Sequence, residues 1–204
     1  MTIEALHQKF IHELPGEAAQ DRMSPRPKHG EGEEGIHQGH PIHSAVMLLL
    51  VPYQSDLAIP FIKRTNVGKY HGGQMALPGG KSEPEDGNSL NTALRECKEE
   101  IGVTPKEVTV IGKLSDVYIP LSNFNITPFV GTKMPNFVLS KNEVEKVIII
   151  PLKDLLDDRN KTSQVLYRQE QKIIAPGYKI GENFIWGATA MIIAELEAMI
   201  KNEQ

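Results

Sequence analysis

The stretch from Asn88 to Ile101 constrains this chain most, because it has to satisfy two environments at once. At 3.6 residues per turn, Leu90, Leu94, Cys97 and Ile101 fall on one stripe with Ala93 beside it, which predicts a helix docked on a core. Asn88 or Ser89 supplies the N-cap and Gly102 the stop. Glu96, Glu99 and Glu100 share another face, where a helix tolerates them poorly. Glu96 and Glu100 repel at i, i+4 at a cost of roughly 0.2–0.5 kcal/mol, and the last turn already carries the negative end of the helix dipole. Arg95, four residues before Glu99, offsets part of this. A hard divalent cation such as Mg²⁺, which takes carboxylate oxygens and keeps waters or substrate phosphates, would offset the rest. The pattern therefore predicts a metal site on a helix end.

Upstream, Leu77-Pro78-Gly79-Gly80-Lys81 reads as an apolar strand end followed by a tight glycine turn, where bare backbone can approach a ligand. Turn and helix together resemble the Nudix box: Gly, five residues, Glu, seven residues, then Arg-Glu-aliphatic-x-Glu-Glu-x-Gly-aliphatic. From Arg95 to Val103 the match is complete except that Cys97 takes an aliphatic position. The first half departs, with Asp86 at the position of the Glu and eight residues between Asp86 and Arg95. That longer spacing is similar to the coenzyme A pyrophosphatase branch, which carries an upstream signature of the form Leu-Leu-Thr-x-Arg-Ser, a spacer, then Gly-x-x-x-Phe-Pro-Gly-Gly. Here Phe61-Ile62-Lys63-Arg64-Thr65 and Gly73 to Gly80 match it, with Thr65 for the small Ser and Leu77 for the Phe. Leu14-Pro15-Gly16 and Ile185-Trp186-Gly187-Ala188-Thr189-Ala190 also look like that branch.

The resemblance implies a site. Glu96, Glu99 and Glu100, with the backbone carbonyl of Gly80, would bind Mg²⁺ or Mn²⁺. The catalytic machinery would include Arg95, orienting the carboxylates, together with Glu99 and Glu143; Glu143, just before the strand at Val147, is the favoured general base. Glu83 and Asp86 are candidates for the outer metal shell. Substrate charge would fall to Arg64, Lys63 and Lys81, with Lys69 nearby. The implied reaction splits coenzyme A or a derivative into 3′,5′-ADP and 4′-phosphopantetheine; NADH, ADP-ribose, or non-catalytic nucleotide binding are the alternatives. A P-loop is excluded, because Met75 stands where its first glycine belongs and Glu83-Pro84-Glu85 where its helix would start.

Composition agrees with such an enzyme. The 204 residues, 40% of them apolar, suffice for one domain with a core. A single cysteine, Cys97, forbids an internal disulfide and reads as a buried small hydrophobe. No run approaches a membrane span, and the first residues lack the cationic start and apolar core of a secretion signal, so a cytoplasmic location is expected. A net charge of −4 argues against nucleic acid and anionic membrane as partners.

Along the chain, residues 1–43 read as an N-terminal helix over 3–14, packed on the body or on a second subunit in a homodimer, followed by a mobile loop over 21–43. That loop carries His37, His40 and His43, whose spacing does not build a regular metal face. Residues 44–204 form the main domain, with strands predicted at 45–52, 57–64, 108–119, 124–132, 144–150, 163–168 and 171–175 and helices at 89–101, 151–156 and 187–201. This order implies an α/β fold, and the resemblance implies the Nudix-type α/β/α sandwich with a mixed β-sheet.

Overall fold

The computed structural model describes residues 2–27, 39–65, 74–140, 144–168 and 171–201. Its elements are α1 (Ile3–Lys9), α2 (Gly16–Gln20), β1 (Arg26–Pro27), β2 (Ile42–Tyr53), β3 (Asp56–Arg64), β4 (Met75–Ala76), β5 (Gly79–Lys81), α3 (Ser89–Ile101), β6 (Thr109–Lys113), β7 (Val117–Ile119), β8 (Phe124–Thr132), β9 (Val144–Pro151), α4 (Leu152–Leu155), β10 (Lys161–Arg168), β11 (Gln171–Ile180), β12 (Asn183–Trp186) and α5 (Gly187–Lys201). Strands β2 to β9 make one eight-stranded mixed sheet in which β2 runs parallel to β8 and its other pairings are antiparallel. A four-stranded antiparallel sheet joins β1, β10 and β12 to β11.

Period-two alternation in β2 divides the core. Ala45, Met47 and Leu49 face α3 and pack with Ala93, Cys97 and Ile101. Leu48 and Leu50 face the other way, toward Met191, Ile192 and Leu196 of α5. Helices therefore cover both faces of the mixed sheet, as the α/β/α expectation requires. Ala190 to Met199 are all buried, because the four-stranded sheet and the N-terminal helices close over α5. No helix among the described residues is long and apolar enough to cross a membrane.

A split in the sheet positions the site. β2 and β3 form a hairpin that pairs only at its closed end, Val51–Tyr53 with Asp56–Ala58. Farther along, Ile62 and Lys63 pair with β4, while Ser44 to Val46 pair with β5. The chain from Met75 to Lys81 thus wedges between the two arms, and the Pro78 carbonyl accepts a hydrogen bond from Met47 N–H at 2.8 Å. Gly79 and Gly80, expected to turn, lie instead in a strand. What demands glycine is proximity: a Cβ on Gly79 would overlap the Ala45 carbonyl, and one on Gly80 would overlap the Glu96 carboxylate.

The helix expected over 3–14 stops at Lys9, and a second short helix, α2, starts at Gly16, whose φ of +58° suits glycine. Within 21–43, Arg26 and Pro27 form a short strand on β11; residues 28–38, with His37, lie outside the described residues. The strand expected over 108–119 is interrupted at Leu114–Asp116, where Ser115 N–H leaves the ladder to donate to Glu195 at 3.1 Å. Glu195, fully buried in α5, also accepts from Gly16 N–H at 3.2 Å and from Gln20 Nε2 at 2.9 Å. It is the polar rivet between the N-terminal segment and the body. Glu195→Leu would orphan these buried donors, and we expect it to cost on the order of 3 kcal/mol, lowering Tm by roughly 6–12 °C, with Glu195→Gln costing less than half of that. Calorimetric melting of the two variants is the check, and equal Tm values for Glu195→Leu and the parent would refute it.

Candidate active site

Helix α3 has the predicted bounds and ends. Asn88 caps it, accepting from Asn91 N–H at 2.9 Å, and Gly102, at φ +70°, closes it while Val103 N–H reaches back to the Cys97 carbonyl. Ser140 N–H and Val138 N–H donate to the carbonyls of Glu100 and Ile101, so the loop after β8 satisfies the helix end. Residues 141–143, Glu143 among them, lie outside the described residues, as do Lys69 and Gly73.

Arg95 is the hub of the site. Its guanidinium donates Nε to Asp86 Oδ1 (2.8 Å), Nη2 to Asp86 Oδ2 (3.1 Å) and to the Lys81 carbonyl (2.9 Å), and Nη1 to Glu96 (2.9 Å) and Glu99 (3.0 Å). The planar fork suits this bidentate grip. Asp86 is buried and takes further donations from the Thr92 hydroxyl at 2.8 Å and Glu83 N–H at 2.9 Å. Its oxygens are committed to shaping the 81–88 turn, so the expected outer-shell role for Asp86 is not what the geometry supports. Hydrogen bonds from Arg95, outweighing burial, hold its pKa far below the ordinary 3.8. Asp86 is the residue whose importance the sequence understated: a one-turn 3-10 helix, Pro84–Asp86, presents its short carboxylate to Arg95.

The three glutamates occupy different environments rather than one open face. The Glu100 side chain is 2% exposed, accepts from Gly79 N–H at 3.0 Å and has Arg64 Nη2 3.9 Å from its other oxygen. Glu96 is 14% exposed, pressed between Arg95 and Gly80, and Glu99 is 53% exposed at the rim. Arg95, Arg64 and the Gly79 amide therefore supply much of the compensation that charge counting assigned to a cation. As the side chains stand, no group of three or more acidic, histidine or cysteine side chains among the described residues is arranged to hold a metal ion. The donor chemistry fits one nonetheless: hard carboxylate oxygens meet a backbone cradle at Gly80 that a Cβ would fill. To hold such an ion, Glu96 or Glu99 would have to give up part of its hold on Arg95.

Of the cations expected to meet substrate, Arg64 alone among the described residues is in contact with the carboxylate cluster. Lys81 is exposed, its ammonium 5.4 Å from the Phe124 ring. Lys63, next to Arg64 on a strand, points to the opposite side and pairs with Glu145 at 3.2 Å. Cys97 is fully buried, and burial raises its thiol pKa, so it is no nucleophile.

Residues 41–169 match the NUDIX domain family. The uncharacterized Nudix hydrolase NudL of Photorhabdus laumondii is 31% identical over 164 residues, 78% of this chain and 85% of its own length. NudL of Yersinia pestis is 31% identical over 160 residues, covering 76% and 79%. Among solved structures, a MutT protein of Methanosarcina mazei superposes with a TM-score of 0.54 at 17% identity, covering 82% of this chain and all of its own. A MutT/nudix family protein of Enterococcus faecalis gives 0.52 at 16%, covering 98% of this chain and 70% of its own. The chain belongs to the Nudix hydrolase family, enzymes that cleave pyrophosphate bonds in nucleotide-derived compounds and generally use divalent cations such as Mg²⁺ or Mn²⁺.

The hub generates a prediction with a defined pH sign. Because the folded-state pKa of Asp86 is depressed, its contribution to stability is fully present above the ordinary 3.8 and fades as pH falls through the lower folded value. Asp86→Asn should cost about 1.5–3 kcal/mol at pH 7, and the gap to the parent should narrow below about pH 4. Urea titrations at both pH values check this; a gap that widens in acid would refute it.

Proposed function

We propose that this Nudix hydrolase cleaves the pyrophosphate bond of coenzyme A or its acyl derivatives, giving 3′,5′-ADP and (acyl-)4′-phosphopantetheine. The observation that carries the reading is the position of Arg64. This residue of the upstream signature stands 3.9 Å from buried Glu100, at the split where β4 and β5 carry the rest of that signature under the helix. A guanidinium there faces the carboxylates with its side chain 37% exposed, placed to meet the negative charge of a pyrophosphate.

Glu96, Glu99 and Glu100, with the Gly80 carbonyl, would hold Mg²⁺ or Mn²⁺. When bound, the ion would neutralise phosphoryl charge and lower the pKa of a water. The remaining work falls to the chain itself. Arg95 holds Glu96 and Glu99 in register with the 81–88 turn; Arg64 and Lys81 orient the substrate's phosphates. Glu99, at the solvent rim, and Glu143, outside the described residues, are the carboxylates proposed to accept the proton of the attacking water. A single buried thiol suits a cytoplasmic enzyme.

Incubation with coenzyme A and Mg²⁺, with NADH and ADP-ribose in parallel, followed by mass spectrometry, tests the reading. The expected result is 3′,5′-ADP and phosphopantetheine formed faster than either competitor is cleaved; turnover of NADH or ADP-ribose alone would assign the enzyme to another nucleoside diphosphate derivative. Glu100→Gln should lower kcat by roughly a hundredfold or more. It should also slightly destabilise the metal-free protein, since it removes the charge facing Arg64; an unchanged kcat would exclude Glu100 from the site.

A further inference from the structure

We propose that the groove between β3, β9 and β12 holds the 3′-phosphorylated nucleoside half of the substrate, with Trp186 stacked on the base and Lys63 and Lys146 on the 3′-phosphate. The inference rests on the coenzyme A reading and adds the residues that would select for it.

The groove is a cavity of about 300 Å³, within the range of small-ligand sites. Two observations give it chemistry. Lys63 of β3 and Lys146 of β9 are direct cross-strand partners, and both line the cavity. Like charges opposite one another on a sheet are destabilising. Glu145 relieves only Lys63, at 3.2 Å, while Lys146 is exposed and makes no ion pair among the described residues. An anion bound between the two ammonium groups would relieve the repulsion, and a dianionic phosphate monoester does so better than a carboxylate. The second observation is the opposite wall. Phe184 and Trp186 stand two residues apart on β12 and so share one face; both are half-buried and line the groove. An aromatic wall offers a π-face on which a purine can stack. Gln74 and Asn183 add amides that can read the ring edge, while the carboxylate of Glu182 also lines the cavity.

Position connects the groove to the reaction. Lys63 and Arg64 are consecutive, about 3.8 Å apart at Cα, with side chains on opposite faces of β3. A nucleotide whose 5′-diphosphate lies toward Arg64 and the carboxylates would have to pass from one face of β3 to the other to lay its 3′-phosphate beside Lys63.

Trp186 is the single tryptophan of the chain, so its fluorescence reports the groove directly. The experiment titrates 3′,5′-ADP and, separately, 5′-AMP into the metal-free full chain, reading Trp186 emission and calorimetric Kd for the parent, Lys146→Gln and Lys63→Gln, with melting to confirm folding. We expect 3′,5′-ADP to quench the emission and to bind at least about tenfold tighter than 5′-AMP, each substitution removing most of that difference while barely changing 5′-AMP. Unchanged emission on binding, or a preference for 3′,5′-ADP that survives both substitutions, would overturn the proposal. Coenzyme A turnover by the same samples separates the two claims. Cleavage without the lysine-dependent preference would leave the proposed function standing and remove the groove. Lysine-dependent binding of 3′,5′-ADP without cleavage of coenzyme A would keep the groove and remove the proposed function.

Discussion

The guanidinium of Arg95 is the constraint on which the site depends. Four acceptor groups from three stretches of chain converge on it: the Lys81 carbonyl from the end of β5, Asp86 from the one-turn helix, and Glu96 and Glu99 from α3. With these contacts the turn between β5 and α3 has a single closure, and Gly80 is held against the Glu96 carboxylate. Lysine at this position would keep the charge and lose the fork, because a point charge on a flexible stem cannot satisfy three carboxylates and a carbonyl in fixed directions. On the proposed reading the cluster would be both structural and functional: the interactions that stabilise the helix end would also hold acidic oxygens where a cation could collect them.

The split hairpin supplies the second half of the design. Because β2 and β3 separate after pairing at their closed end, a segment from elsewhere in the chain enters the sheet and places two glycines beneath the acidic helix. Buried Glu100 then joins the layers, taking the Gly79 amide from the inserted strand while Arg64 approaches from β3. The upstream and downstream motifs thus meet through backbone pairing, although more than twenty residues separate Arg64 from Arg95.

Legibility in the sequence follows the range of the forces involved. Local rules sufficed for α3, whose caps and apolar stripe are written in adjacent residues, for the bounds of α5, and for β8, whose bounds were read without error. The Nudix pattern gave the family and the identity of the acidic residues. What local rules missed depends on partners far along the chain. Gly79-Gly80 looked like a turn because glycine's usual meaning is conformational, whereas here it is steric and set by Ala45 and Glu96. The break at Ser115 and the break between α1 and α2 answer to Glu195, eighty or more residues away. Asp86 reads as a candidate for the outer metal shell, whereas Arg95 takes it at nine residues' separation through an unanticipated 3-10 turn. Adjacent Lys63 and Arg64 read as one basic patch, and the strand sends them to opposite faces.

Anomalous diffraction from crystals grown with Mn²⁺ tests the central claim most directly. The account predicts a peak bounded by Glu96, Glu99, Glu100 and the Gly80 carbonyl, with at least one of the two glutamates on Arg95 turned from the guanidinium toward the ion. A Mn²⁺ peak elsewhere, with Glu96 and Glu99 still on Arg95, would contradict it.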